Sequence, residues 1–205
     1  MSKTPNFGVF NDFWNGFPNH LPFLTLIETP YQPEEWNLTK SIERLDHIVS
    51  ESSGSQIANG IRLLLKNEDW RPHLVAALAI LKIDKDLQFE LKSDLWSRLK
   101  SGSWVSPQIL VILSLIDSEF NLKAREICEN GFEISYSEMP MHEHHFARGP
   151  AGLSVDNKKV VASVEYLLNG LIIDSRENDN GGSLAKGWKE NLFKLIDNKR
   201  FKIKE

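Results

Sequence analysis

The chain has 205 residues, 41% of them hydrophobic, and a formal net charge of −4. That length supports one well-buried core, and the acidic balance argues against nucleic acid as a partner, because a general binder of phosphate needs a basic excess. The lone cysteine, Cys128, leaves no internal disulfide, no Lys/Arg-led apolar leader opens the chain, and the longest apolar run, 109–116, falls far short of the roughly 20 residues that span a bilayer. The expectation is a cytoplasmic protein with no membrane association.

Residues 1–36 crowd Phe7, Phe10, Phe13, Trp14, Phe17, Phe23, Tyr31 and Trp36 among five prolines. Prolines at that density forbid a long helix, since each lacks an N–H and steers the preceding residue away from the α conformation. So many rings are costly to leave in water, at roughly 1.5–3 kcal/mol for each large side chain. An extended arm pinned by its rings across a helical body is expected. The competing reading leaves part of this aromatic surface for a partner.

Helical periodicity begins near Thr39, with Ile42, Leu45, Ile48 and Val49 on one face. The serine-rich turn 52–55 ends that helix and supplies a cap for the next, whose face is Ile57, Ile61, Leu64 and Leu65. A tryptophan-led apolar helix follows (Trp70, Pro72, then 74–81). Leu87, Leu91, Leu95, Trp96 and Leu99 mark an amphipathic helix, and Trp104 with Pro107 leads a second apolar one. A shift of 34 residues lays Ile61 on Leu95, Leu65 on Leu99 and Trp70 on Trp104; one further residue lays Pro72 on Pro107. Helix pairs repeating at that period are the signature of an α-solenoid. Asp69 and Ser106 are the expected caps of the two apolar helices. Being apolar nearly all round, both helices need cover on most sides, and Trp70 and Trp104 are expected in the grooves between pairs.

A third unit starts at Glu119, with Phe120, Leu122, Ala124, Ile127 and Cys128 on its face and Gly131 at its end. A long irregular stretch, 132–152, interrupts it. Helical pattern resumes from Asp156 as cap, and Ser183 is expected to cap a last helix after the loop 179–182. The organisation is thus an arm over 1–36 and one helical domain over 37–205.

Candidate chemistry is sparse. His142, Glu143, His144 and His145 are metal-ligand types, but the helical zinc motif sets its two histidines four apart, so no metal is expected and the stretch reads as a polar, pH-sensitive loop. Cys128 lies on an apolar helix face, where a thiol is normally packed and inert. The glycines at 181, 182 and 187 lack phosphate-loop spacing. Arg71 and His73 fall in the first turn of a buried helix, with Gln108 at the equivalent place one repeat later. Such a row either forms a recognition edge or only furnishes helix ends.

The paired helices within 56–130 resemble HEAT- or armadillo-type helical repeats. That resemblance implies an all-α stack of antiparallel helix pairs that recognises another protein, without catalysis or cofactor. The leading expectation is a non-enzymatic protein-binding module, of the general character of bacterial immunity proteins that neutralise toxins, its acidic surface suited to a basic toxin domain. Binding residues are expected among Arg71, His73, Trp104, Gln108, His142, His144 and His145. The alternatives are a metal-dependent or HEAT-like nucleic-acid-modifying enzyme and a structural subunit of a larger assembly.

Overall fold

The computed structural model describes residues 6–14, 20–31, 33, 37–135 and 150–204, with the backbone alone for 150–156. These residues are all-α: eight α-helices and three short 3-10 turns, with no strand among them. None of the helices is long and apolar enough to cross a membrane. The chain forms two compact units. One contains Met1–Leu91 and Asn191–Glu205, the other Lys92–Glu190.

In the first unit, α1 (Leu38–Glu51) buries Leu38, Ile42, Leu45 and Ile48, the stripe that its three- and four-residue spacing demands. Ser53 closes a capping box with Gln56 at the start of α2 (Gly54–Lys66), which ends three residues before α3. Asp69 accepts the Arg71 N–H and caps α3 (Trp70–Leu81), and every residue of α3 from Pro72 onward is buried. α2 and the aromatic arm pack on this helix. The buried amide of Gln88, on α4 (Lys85–Lys100), donates to the carbonyls of Ile80 and Ile83, groups that the end of α3 would otherwise leave unsatisfied.

The expected extended arm over 1–36 is described only at 6–14, 20–31 and 33, with Phe17 and Trp36 outside the described residues, and in those stretches it is not extended throughout. It winds into two 3-10 turns, Gly8–Phe13 and Leu21–Leu24, with Phe7, Phe10, Phe13 and Phe23 buried. Phe7, Phe10 and Phe13 recur every third residue, the period at which 3-10 side chains align on one face. Gly60, in the middle of α2, makes room for them: a Cβ there would stand 2.7 Å from the Phe10 ring. Tyr31, by contrast, is 93% exposed. After α8 (Gly181–Asp197) the tail returns to this unit, with Phe201 buried, Arg200 paired to Glu28 and the Lys204 N–H bonded to the Leu81 carbonyl.

In the second unit, α5 (Ser106–Ile116) is buried through Leu113 and packs on α6 (Phe120–Asn130) and α7 (Pro150–Asn169), which also pack on each other. Three expected starts shift. Ser106 is the first helical residue, with Val105 in the cap position and no side-chain cap bond. α7 begins at Pro150, six residues before Asp156. The last helix begins at Gly181, and its Gly182 and Ser183 N–H groups are taken by the Asp174 carboxylate from across the preceding loop, so Asp174 does the work expected of Ser183.

Candidate functional site

Trp104 stands two residues ahead of α5, after Gly102 turns the chain at a positive φ of 84°. It is 50% exposed and so does not lie sealed in a groove, as the repeat pattern led one to expect. What holds it is Lys159 of α7, itself only 1% exposed. The Lys159 ammonium donates to the Trp104 carbonyl at 3.0 Å, pairs with Asp179 at 2.5 Å and lies 5.1 Å from the centroid of the indole ring. Its charge is therefore met by a carboxylate, a carbonyl and a π face, as a buried cation requires. Gly181 completes the seat: any Cβ there would come within 2.3 Å of the Lys159 carbonyl, and the Ser163 hydroxyl lies within donating reach of the Lys159 carbonyl and of the Gly181 carbonyl.

The other expected contact residues divide. Gln108 is buried at 4% and His73 at 1%, so neither emerges at an edge. His73 turns inward because its Nε2 sits 2.9 Å from the Asn67 carbonyl, tying α3 to the turn before it. Arg71 stays partly exposed, paired with Asp69 at 2.7 Å, its guanidinium 4.8 Å from the Trp70 ring. The polar pair at matching places of α3 and α5 is thus buried, and Arg71 alone of the three is partly exposed. His142, His144 and His145 lie outside the described residues, and among those described no cluster of metal-ligand side chains occurs.

A concavity of about 600 Å³ lies between α4, α6 and the segment 131–135. Lys92, Trp96 and Lys100 line it at four-residue steps along α4; Lys123, Ile127 and Asn130 face them from α6. At one end sits Asp117, whose side chain is wholly buried. It accepts from Lys92 at 3.1 Å, Lys123 at 2.8 Å, the Trp96 indole N–H at 2.8 Å and the Glu119 backbone N–H at 3.1 Å. Burial alone would push this carboxyl up, but those donors outweigh it and hold it far below the usual carboxylate range.

Cys128 is half-buried, and burial together with the neighbouring Glu165 pushes its thiol up to about 11. A thiol so protonated at neutral pH is a poor nucleophile, as its place on an apolar helix face implied. Lys159 and Asp117 escaped the reading of the sequence. Asp117 is a single acid closing an apolar run, which reads as a helix end. Lys159 stands beside Lys158 at the edge of a periodic stretch, and only the fold separates the buried one from the exposed one. The four-residue spacing of Lys92, Trp96 and Lys100 is a signal in the sequence that the reading did not use. Comparison with protein-family models, with curated proteins and with solved structures finds no match to this chain.

Proposed function

We propose that this protein is a non-enzymatic protein-binding module that engages its partner through the surface around Trp104. The observation that carries the reading is a half-exposed tryptophan held from behind by a buried lysine. An indole fixed in one orientation loses little conformational freedom on binding and offers a large contact area, which is why tryptophan is enriched among the residues that dominate interface energetics. The net charge of −4 suits a basic partner, drawn in by electrostatic steering. In its most specific form the proposal is an immunity-type inhibitor of a basic toxin domain in the cytoplasm, with HEAT-like stacked helix pairs as scaffold.

The test is site-specific photo-crosslinking in the native host, with the crosslinker at position 104 and, as control, at Leu122, which is 71% exposed on α6. The expected result is one protein trapped at 104 and not at 122, and its loss from co-purification with Trp104→Ala but not with Leu122→Ala. Equal capture at both positions, or recovery of nucleic acid alone, overturns the proposal.

A further inference from the structure

We propose that the cavity between α4 and α6 is a binding site for a small aromatic monocarboxylate, with the ring laid against Trp96 and the carboxylate held at Lys100. This is separate from the surface at Trp104 and stands or falls by itself.

Size comes first. About 600 Å³ lies within the roughly 300–1,000 Å³ typical of small-molecule sites. The apolar lining is Trp96, Ile127 and Phe132, enough for one or two fused rings. The Trp96 indole is fixed by its hydrogen bond to Asp117 and by stacking on Phe120, with ring centroids 6.3 Å apart, so its position is set before any ligand arrives.

Charge decides where the ligand's polar end goes. Five charged side chains line the cavity: Lys92, Lys100, Lys123, Glu126 and Glu133. Lys92 and Lys123 both engage Asp117, a carboxylate the protein itself supplies. Lys100 makes no ion pair among the described residues. With Asp117 behind the lining set against Lys92 and Lys123, the charges sum to zero, which disfavours a polyanion such as a nucleotide and leaves Lys100 as the lysine that can meet one negative charge. Lys100 is one helical turn beyond Trp96, a rise of about 6 Å. Both side chains line the same cavity, so a ring against Trp96 can turn its carboxylate toward Lys100. Ser135 and Asn130 line the same cavity as further hydrogen-bonding groups, and the Ser135 N–H bond to the Lys100 carbonyl, 2.7 Å, closes the rim.

The experiment is calorimetric titration of the full chain with 2-naphthoate and with its uncharged isostere 2-naphthamide. The acid is expected to bind about tenfold more tightly than the amide, the gain of one charge contact at a partly exposed site. Lys100→Gln is expected to abolish that preference and Lys100→Arg to retain it. Lys100 is exposed, so neither substitution disturbs the core. Equal affinity for acid and amide, no binding of either at millimolar concentration, or a preference that survives Lys100→Gln overturns the proposal.

Discussion

The two tryptophan-led helices share a sequence pattern, yet their rings meet different fates. Trp70 is the first residue of α3, directly after its Asp69 cap, and is partly buried with the Arg71 guanidinium over it. Trp104 lies two residues outside α5 and is half exposed. One extra residue separates tryptophan from proline in the second copy: Trp-Arg-Pro in the first, Trp-Val-Ser-Pro in the second. Proline sits in the first turn in both, third in α3 and second in α5, as its missing N–H allows, so the extra residue and that one-place offset together set the second tryptophan out of the helix and into the turn. The first helix also has the aromatic arm packed on it, whereas the second unit closes α5 with α6 and α7. Both helices are buried over most of their length, α5 only as far as Leu113. What precedes them decides whether an aromatic edge faces inward.

The largest expected effect tests the cover on the first copy. Phe13 has no exposed surface. Phe13→Ala should cost about 3–5 kcal/mol, the usual range for deleting a buried phenylalanine side chain, and is read as a fall in the denaturation midpoint. A cost below about 1 kcal/mol would show that the arm is no part of the first unit's core.

Next comes the anchor of the second unit. Asp117→Asn keeps the shape but removes the charge that Lys92 and Lys123 share. Breaking a buried pair costs about 3–5 kcal/mol, and because Lys123 is a third exposed the expected loss is about 2–3. The sign with pH follows from the depressed carboxyl. Folded protein releases this proton more readily than unfolded chain does, so the contribution is full above the unfolded value near 4 and drains away as pH falls below it. The acid limb of the stability curve should therefore be shallower in Asp117→Asn than in the parent. Curves of equal slope would remove Asp117 as its source.

Gly60→Ala sets helix propensity against packing. Alanine should gain about 1 kcal/mol in the middle of a helix. Here its methyl would stand 2.7 Å and 2.9 Å from atoms of a fully buried ring and 3.2 Å from the Phe7 carbonyl. Overpacking of that kind costs about 1–3 kcal/mol, so a net loss of up to about 2 kcal/mol is expected. A more stable variant would mean that the turn bearing Phe10 yields freely.

These contrasts show what could be read ahead of the fold. The faces of α1, α2 and α4, the buried inner helices and the caps at Ser53 and Asp69 follow from periodicity and local chemistry, both confined to a few neighbouring residues. The arm's 3-10 turns were encoded in the three-residue spacing of Phe7, Phe10 and Phe13, masked by prolines that read as extended chain. Asp174 caps a helix from eight residues away, and His73 turns in to a carbonyl six residues back. Such bonds depend on the path of a loop, which local pattern does not specify. The candidate site at Trp104 was half legible. The residue was singled out, but the lysine that fixes it lies 55 positions along the chain.

The smallest effect sharpens the comparison most. Trp104→Ala removes a ring already half in water, along with one cation–π contact worth about 0.5–1 kcal/mol at a partly exposed site. Lys159 keeps its bonds to the backbone carbonyl and to Asp179, so the expected loss of stability is about 1 kcal/mol. Trp70→Ala, at a ring with less exposed surface and a place inside the helix, should cost about 2 kcal/mol. Acrylamide quenching supplies an independent readout: replacing Trp104 by phenylalanine should remove more of the quenchable fluorescence than the same change at Trp70. If the two alanine variants lose equal stability and the two phenylalanine variants equal quenching, the extra residue before Pro107 has not moved the ring outward. The distinction between a packed tryptophan and a presented one then fails.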